Sequence, residues 1–438
     1  MAWRLFGQSP GERCDRVPLE ALAAMRHSDA MAGGEPRFEL IVAGGGMTGL
    51  ALACAVAGAR VPVLLVEQRA LPATTELPFD GRVTAISRGS RRLLQGIGVW
   101  PHLAHDAQPI LDIEVGERQS PLTVHYDHRA VGGEPLGHIV ENRVIRQGLL
   151  RRIAELTDGE LEVAAPDRPA RIERGTDVVE VGLTSGRRAR AAVLAAADGR
   201  GSPLRDLAGI GVMRWAYEQT GMVATIAHGE PHHGRAFERF FATGPLAMLP
   251  MLGQRSSIVW AAHEGLAREL IALDDREFVA ELGDRVGDRY GALELAGPRW
   301  HYPLSMVQAT RYTARRLALV GDAARAIHPI AGQGWNLALR DVAALAELIV
   351  DARRLGLDPG GAALLARYER WRRFDSLALI GITDGLNRLF ANDLFPLRLA
   401  RELGLGAVER IPPLKRFFMR HAMGLLGDLP RLMRGEAL

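Results

Sequence analysis

The sequence predicts an α/β protein that combines βαβ units, an antiparallel-sheet domain and C-terminal helices. Three patterns lead to this fold class. Residues 38–67 read in order as a strand, a glycine-rich turn, a helix and a second strand, which is the order of a βαβ unit. Residues 222–260 contain alternating strand-like runs between glycine, proline and polar turns, as antiparallel sheets do. Residues 345–438 are mostly helical in their hydrophobic spacing.

The first βαβ unit carries the G-x-G-x-x-G spacing of a dinucleotide-binding motif at Gly44, Gly46 and Gly49. Gly44 permits a tight turn, Gly46 lets a pyrophosphate approach the backbone, and Gly49 lets the helix pack closely against the sheet. The helix that begins at Met47 presents unpaired N–H groups to the phosphates. Glu67 ends the second strand, where a carboxylate can bind a ribose hydroxyl. We therefore expect a Rossmann-like nucleotide-binding site.

Two other interpretations of this stretch stay open at the level of sequence. A glycine-rich turn in an ordinary α/β domain would have the same local pattern. Residues 40–59 also carry no charge over a length that could cross a bilayer. Three consecutive glycines and the strand that follows argue against a membrane span.

The composition limits the classes of protein to which the chain can belong. A chain of 438 residues suggests two or three domains, and a hydrophobic share of 47% is ordinary for a globular protein. The net charge of +3 is too small to indicate nucleic-acid binding. The two cysteines, Cys14 and Cys54, form neither a disulfide framework nor a metal-ligand cluster. We predict no metal site, no nucleic-acid partner and a cytoplasmic location.

A second loop is predicted where an apolar strand at residues 191–197 ends in Asp198 and Gly199. An aspartate and a glycine directly after a buried strand are typical of a loop at the edge of a sheet. Arg82, in the loop after the first βαβ unit, is either a solvated arginine or a contact for a phosphate or a flavin edge.

A third loop follows the predicted strand at residues 317–320, where Gly321 and Asp322 stand at the strand end. It continues through Gly332 and Gly334 into a helix that contains Asn336. A carboxylate here could bind a ribitol or ribose hydroxyl. A purely structural turn is the alternative, but the density of glycine, aspartate, proline and glutamine favours a ligand-binding loop.

Together these motifs resemble the FAD-dependent aromatic hydroxylases, the single-component flavin monooxygenases typified by para-hydroxybenzoate hydroxylase. The resemblance runs from about Arg37 to the C-terminus. The segments GDAARAIHPIAGQGWNLALRD, DGRVTAIS, AMLPM with SSIVW, and LPRLMRG are most similar to the ubiquinone-biosynthesis hydroxylases. The resemblance implies FAD as cofactor, NAD(P)H and O₂ as co-substrates, and hydroxylation of the aromatic ring of a polyprenylated phenol through a flavin C4a-hydroperoxide.

The resemblance also implies roles for individual residues. The implied cofactor-binding positions are Gly44, Gly46, Met47, Gly49, Glu67, Arg82, Arg146, Asp198, Gly199, Gly321, Asp322, Gly332, Gly334 and Asn336. Within this set, Asp198 and Gly199 are associated with both FAD and NAD(P)H. Pro329, Gly332 and Gln333 would position the flavin ring, with no essential acid or base assigned. Leu249 and Pro250 would face the substrate, and Arg325 stands where many relatives have a histidine.

The predicted domains are discontinuous. We predict a disordered extension at residues 1–36, an FAD-binding domain at 37–108, 138–208 and 305–385, a substrate-binding β-sheet domain at 109–137 and 209–304, and a C-terminal helical region at 386–438. The C-terminal region alternates apolar residues with arginine. That pattern indicates either a helical cap on the core or a peripheral contact with the inner face of the membrane or with ubiquinone-pathway proteins.

Two other functions remain open from the sequence alone. The protein could be a flavin monooxygenase that acts on a soluble aromatic substrate. It could instead be an FAD- or NAD-binding oxidoreductase that does not hydroxylate.

Overall fold

The computed structural model describes residues 37–72, 77–117, 123–156, 159–327, 332, 334–390 and 406–438, with the backbone alone for Arg37 and 378–390. The predictions for residues 1–36, Pro329 and Gln333 fall outside these described residues.

The described strands are β1 (Arg37–Ala43), β2 (Val63–Val66), β3 (Val83–Ser87), β4 (Gln108–Ile110), β5 (Asp112–Glu117), β6 (Thr123–Asp127), β7 (Gly137–Glu141), β8 (Leu161–Ala164), β9 (Pro169–Arg174), β10 (Val179–Leu183), β11 (Arg188–Ala196), β12 (Val212–His228), β13 (Arg235–Phe241), β14 (Gly244–Met251), β15 (Arg255–His263), β16 (Leu293–Leu295), β17 (Trp300–Ala309), β18 (Thr313–Ala314), β19 (Leu317–Leu319) and β20 (Arg325–Ala326).

The described α-helices are α1 (Met47–Gly58), α2 (Arg88–Gly96), α3 (Asn142–Leu156), α4 (Pro203–Leu207), α5 (Glu264–Ala272), α6 (Asp275–Val286), α7 (Gly334–Arg354), α8 (Ala362–Phe390), α9 (Pro412–Ala422) and α10 (Arg431–Arg434). Within the described residues, no helix is both long enough and apolar enough to cross a membrane.

The first sheet has the order β18-β19-β11-β1-β2-β8, with β9 and β10 attached to β11. Strand β1 lies parallel to β2 and β11, and β19 lies parallel to β11. Helix α1 connects β1 to β2 and buries most of its length, including Cys54. This arrangement confirms the predicted Rossmann-like βαβ unit. The uncharged stretch at 40–59 is therefore a strand, a turn and a core helix, and the membrane-span alternative is wrong.

The second sheet has the order β20-β17-β12-β15-β14-β13-β5-β6, with β16 attached to β12. Its neighbours are antiparallel apart from β13 and β5, which are parallel. The predicted antiparallel sheet is confirmed. Strand β12 begins at Val212, earlier than the predicted Met222, because residues 212–216 pair with β17. Helices α5 and α6 cover one face, where Phe278 and Leu282 join Trp260 in a buried cluster.

A small sheet of order β3-β7-β4 contacts β14 of the second sheet through β4 and β7, and contacts α7 through β3. Side chains from its strands share an apolar cluster with Leu249 of β14 and with Met419 and Met423 near the C-terminus. The second large sheet thus has one face toward α5 and α6 and the other toward the small sheet and α9. The domain boundaries themselves stay predictions, and β20, inside the predicted range 305–385, pairs with β17 of the second sheet.

Candidate functional site

The three predicted loops leave the first sheet at one edge. Ala43 of β1 and Leu319 of β19 both lie in register with Ala196 of β11. Ala197 N–H donates to the Ala43 carbonyl at 2.8 Å, and Val320 N–H donates to the Ala196 carbonyl at 2.9 Å. Since ligands of open α/β sheets bind beyond the carboxyl ends of the strands, this edge is the expected site.

The glycines of the first loop have different surroundings. Gly44 has φ +114°, and a Cβ there would lie 2.4 Å from the Ala197 oxygen, in the neighbouring loop. A Cβ on Gly49 would lie 1.8 Å from the Gly44 oxygen, so this glycine permits close packing of α1. A Cβ on Gly46 would have no atom within 4 Å. Gly46 therefore faces open space at the start of α1, which suits the approach of a phosphate.

The start of α1 has no acidic residue and no side-chain cap. Gly46 occupies the N-cap position. No side chain caps the first turn of the helix that begins at Met47, so the N–H groups of this turn stay available at the positive end of the helix. Glu67 lies beside this loop, because its Oε2 accepts a hydrogen bond from Gly45 N–H at 2.5 Å. The glycine loop and the acid, which are separated in the sequence, are thus in direct contact in the structure.

The third loop packs directly on the first. Gly321 has φ +64°, and a Cβ there would lie 2.9 Å from Thr48 Cγ2 in α1 and 3.3 Å from Ala338 Cβ in α7. Asp322 follows with a solvent-exposed side chain. Its pKa is raised because dense protein surrounds it, with opposing contributions from the positive charges of Arg200 and Arg325. Asp322 is therefore accessible to a ligand although the protein around it is dense.

The far end of the third loop is attached to β3. A Cβ on Gly332 would lie 3.3 Å from Ala85 Cβ, while one on Gly334 would meet nothing within 4 Å. The buried Asn336 accepts a hydrogen bond from Ser87 N–H at 3.0 Å and donates one to the Ala85 carbonyl at 2.8 Å. These bonds occupy both ends of its amide. Asn336 thus ties the start of α7 to β3, and its predicted contact with the cofactor stays a prediction.

The second loop contributes a half-buried acid and an open glycine. Asp198 Oδ2 accepts a hydrogen bond from Leu204 N–H at 3.1 Å, and burial raises the pKa of Asp198. Gly199 has φ +89° and open space around its Cβ position. Beside this loop lies a cavity of about 450 Å³, lined by Arg200, Arg214, Trp215 and their neighbours on β12 and β17.

The two predicted arginines differ in how closely they approach this edge. Arg82 is exposed and bonds to Asp80 through Nε at 2.8 Å. Burial raises the pKa of Tyr302, and the charges of Arg82 and Arg200 both act to lower it. Arg82 therefore lies near the second loop. Arg146 is half-buried on α3, and within the described residues no hydrogen bond ties it to the three loops.

A buried charge cluster behind the third loop was missed at the sequence level. Asp341 of α7 is fully buried and accepts bonds from Arg325 at 2.5 and 3.0 Å, from Arg372 of α8 at 2.8 Å, and from Gly321 N–H at 3.0 Å. Arg325 thus serves as the partner of a buried carboxylate. The available signal in the sequence was the position of Asp341 among the apolar residues of α7, most of which are buried.

Leu249 and Pro250, both predicted to face the substrate, are consecutive on β14 and so project to opposite faces. Leu249 packs in the cluster that contains Ala85 of β3. Pro250 lies in register with Ser256, which pairs with Ile226 on the face covered by α5 and α6. Leu249 thus lies on the face toward β3 and Pro250 on the face toward α5 and α6, and contact of either residue with a substrate stays a prediction.

Three potential metal ligands lie together on the β5–β6 hairpin. One ligand atom each of Asp112, Asp127 and His128 lies within 4.8 Å of the others. All three have protein partners: Asp112 pairs with His125, Asp127 with Arg129, and His128 Nδ1 donates to the Leu111 carbonyl. The absence of a metal site stays a prediction.

Three loops that lie at one carboxyl edge of a Rossmann-like sheet, next to an antiparallel sheet, define a dinucleotide-binding α/β protein. The chain belongs to the FAD-binding domain family, whose pattern matches residues 37–376. This confirms the predicted cofactor and the resemblance to the FAD-dependent hydroxylases. The open Cβ position of Gly46, the nearby Glu67 and the accessible Asp322 fit the phosphate, ribose and ribitol groups of FAD.

Two curated relatives are similar to this chain over most of its length. The chain is 48% identical over 403 residues to "Ubiquinone hydroxylase UbiL" of Rhodospirillum rubrum, covering 91% of this chain and 93% of the relative. It is 34% identical over 391 residues to "3-demethoxyubiquinol 3-hydroxylase" of Escherichia coli, covering 88% and 98%.

A solved structure supports the fold. The crystal structure of pqsL, a probable FAD-dependent monooxygenase from Pseudomonas aeruginosa, matches with a TM-score of 0.72 at 23% identity. The match covers 84% of this chain and 99% of that one. At this level of identity the similarity concerns the fold alone.

Proposed function

We propose that this protein is an FAD-dependent monooxygenase that hydroxylates the aromatic ring of a polyprenylated phenol in ubiquinone biosynthesis, with NAD(P)H and O₂ as co-substrates. The names of both curated relatives support this reaction class. The observation that carries the proposal is the packing of Gly321, in the third loop, against Thr48, in the first turn of α1, which brings the first and third loops together at one edge of the sheet. Loops arranged in this way suit a cofactor that extends from a nucleotide to a flavin ring.

Each loop has a distinct task in this proposal. Gly46 and the start of α1 bind the pyrophosphate, Glu67 binds the ribose, and Asp322 binds the ribitol. Bound FAD supplies the capacity to accept a hydride from NAD(P)H and to activate O₂. The apolar face around Leu249 excludes water and positions the substrate ring.

In this proposal NAD(P)H approaches the flavin beside the second loop. Arg200 and Arg214 line the cavity beside Asp198 and Gly199, together with the indole of Trp215. Guanidinium groups suit the phosphates of a nicotinamide nucleotide, and an indole suits stacking with its rings.

Quinone profiling tests the proposed reaction. In a deletion strain, mass spectrometry is expected to show demethoxy or deoxy quinone intermediates, and the wild-type gene should restore the mature quinone. A G46V gene should fail to restore it, because the added side chain would fill the phosphate approach. A normal quinone profile in the deletion strain, together with a purified protein that carries FAD, would contradict the proposal and favour a soluble aromatic substrate.

We further propose that α9 contacts the surface of an anionic membrane. Its outer side exposes Ile411 and Phe417 by 47% and 50%, next to the exposed Arg416 and Arg420. Its inner side buries Met419 in the cluster that includes Leu249. Apolar side chains beside arginines are typical of a helix that lies at a lipid interface. This location would bring a lipid-like substrate close to the second sheet.

Vesicle sedimentation tests this contact. The wild type is expected to bind vesicles that contain phosphatidylglycerol and to bind phosphatidylcholine vesicles weakly, with salt reducing the difference. The double variant I411S/F417S should lose about tenfold in affinity, because it removes the apolar contacts. The control is L355S, since Leu355 is 72% exposed outside this helix. Equal binding by the double variant and the wild type would contradict the contact.

A further inference from the structure

Glu238 is a carboxyl group on the face of the second sheet that is turned toward the candidate site. It pairs with Ala247 of β14, and Ala247 shares a face with Leu249 because the two are separated by one residue. Diagonal neighbours on one face are within reach of long side chains. Glu238 therefore lies on the face that carries Leu249.

This face continues to the third loop. Leu249, Ala236 and Tyr126 belong to the apolar cluster that contains Ala85 of β3. Ala85 in turn lies next to Gly332, and its carbonyl accepts the hydrogen bond from Asn336. A ligand bound between the second sheet and the third loop would have Glu238 on its sheet side.

The surroundings of Glu238 are unusual for an acid. Its side chain is half-buried and forms no hydrogen bond or ion pair with any residue that the structure describes. The next residue, Arg239, points to the opposite face, where it bonds to Glu114. Burial raises the pKa of Glu238 to about 7, and the charge of Glu238 contributes to the raised pKa of Tyr126 after burial and Glu409.

An acid without a partner in apolar surroundings destabilises a fold, so its presence points to a use. The proposed function brings a phenol to this face, and a phenol has a hydroxyl group that needs an acceptor. Ring hydroxylation also benefits from removal of the phenolic proton, because the oxygen then donates more electron density to the ring.

We propose that Glu238 accepts the hydrogen bond of the substrate's phenolic hydroxyl and takes its proton while the ring is hydroxylated. This inference rests on the proposed function. In the step, the phenol O–H bond breaks and an O–H bond forms on Glu238, while the electron pair stays on the phenol oxygen. The proton returns to that oxygen after the ring has been hydroxylated, so the step consumes no oxidant or reductant.

Several other ionisable groups lie around the face that carries Glu238. On the face of Glu238, the packed strands carry Glu117 of β5 and Tyr126 of β6, while Asp112, Glu114, His125 and Asp127 lie on the opposite face. The C-terminal segment that packs on this region carries Glu409, Arg410, Lys415, Arg416, Arg420 and His421. The pKa of Tyr126 is raised to about 12, and Lys415 bonds to Glu409 at 2.7 Å. Burial lowers the pKa of His421.

The test compares E238Q with the wild type, both purified with bound FAD. The probe is a 2-polyprenylphenol with a short isoprenoid tail, dispersed in detergent micelles. Three quantities are measured: FAD content, flavin reduction by NAD(P)H, and hydroxylated product per NAD(P)H oxidised. The pH is varied from about 5.5 to about 9 to cover ionisation of a base near neutrality.

The wild type is expected to form product faster as pH rises through about 7, since Glu238 must be ionised to accept a proton. E238Q should lose about 100-fold in product formation and should lose this pH dependence. Its FAD content and its flavin reduction without substrate should match the wild type. E238D should keep the rise with pH at a reduced rate, because it keeps the carboxyl group.

The control is E294Q, because Glu294 is an exposed acid on β16 of the same sheet. E294Q should match the wild type in every measurement. If E238Q keeps the rise with pH and forms product within about threefold of the wild type, the role of Glu238 is overturned while the proposed function stands. If the wild type carries reducible FAD but forms no product, both proposals are overturned.

Discussion

At Gly46 and Gly49, one turn apart in the same motif, a methyl group would meet opposite surroundings. The Cβ position of Gly46 is open, whereas that of Gly49 coincides with the Gly44 oxygen. The fold thus requires a glycine at position 49 and does not require one at position 46. The spacing of the motif alone does not separate these two positions.

We predict that G46A and G49A will fail in different ways. G49A should lower the free energy of unfolding of the FAD-free protein by about 1–3 kcal/mol, because backbone must move to relieve the clash. G46A should keep that stability within about 0.5 kcal/mol and weaken FAD binding at least about tenfold. Urea unfolding and FAD fluorescence titration measure the two effects. Similar loss of stability in both variants would contradict this division.

His138 gives a prediction about pH. Its ring packs against Trp100 with centroids 4.9 Å apart, and burial, with a smaller contribution from Arg91, lowers its pKa from 6.5 to about 4. Between these values the unfolded chain binds a proton that the folded chain does not, so the free energy of unfolding falls as pH falls from 6.5 to about 4. The contribution is fully present above pH 6.5.

We predict that H138N will show a smaller loss of stability than the wild type over this range, because its side chain does not titrate. Urea unfolding at about pH 7 and about pH 4.5 measures the difference between the two proteins. H105N is the control, since the side chain of His105 is 98% exposed. An identical pH slope in H138N and the wild type would show that His138 does not carry the effect.

At the scale of elements, Asp341 connects four parts of the chain. It accepts hydrogen bonds from the turn at Gly321, from Arg325 of β20 and from Arg372 of α8, while it lies on α7 itself. Because α7 starts at the third loop, this cluster fixes the direction in which the loop meets the first sheet. The buried charges thereby support the third loop without touching a ligand.

We predict that D341N will destabilise the protein more than R325M. D341N leaves Arg325 buried without a carboxylate and removes one of the two carboxylates that Arg372 contacts, which should cost about 3–5 kcal/mol. In R325M the carboxylate keeps Arg372 and the Gly321 N–H group. Urea unfolding of the FAD-free variants gives the comparison. A larger loss in R325M would show that the guanidinium, and not the carboxylate, is the centre of the cluster.

The order of elements could be predicted from the sequence because it depends on local patterns. Glycine spacing, short apolar runs and helical periodicity located the three loops and the strands before them. Side-chain partners depend on contacts that local patterns do not contain: Arg372 lies 31 residues from Asp341 and belongs to another helix. Strand alternation likewise implies that Leu249 and Pro250 face opposite sides, but only sheet packing decides which of them faces the site.

At the scale of the whole molecule, the C-terminal segment completes the region around the nucleotide site. Leu432 and Met433 are buried in the same core as β1 and α1. Arg340 of α7 donates to the carbonyls of Gly424 and Leu426 at 2.9 and 3.0 Å. Met423 accepts a hydrogen bond from Gly89 N–H at 3.1 Å, next to the Ser87 that Asn336 holds.

We predict that M433A will lower the free energy of unfolding by about 2–5 kcal/mol, because it leaves a cavity in this core. Thermal unfolding with and without FAD measures the loss. The control is E436Q, which changes an exposed ion pair with Arg434 and should stay within about 0.5 kcal/mol of the wild type. Equal stability of M433A and the wild type would show that the C-terminal segment is dispensable for folding.

The bonds from Arg340 to Gly424 and Leu426 also set an order of events during synthesis. A chain still attached to the ribosome has made its first glycine loop long before the segment that secures α7 has emerged. The two hydrogen bonds from Arg340 form only after residues 424–426 have been synthesised. A nascent chain that ends before Gly424 therefore carries all three loops and yet lacks this attachment of α7.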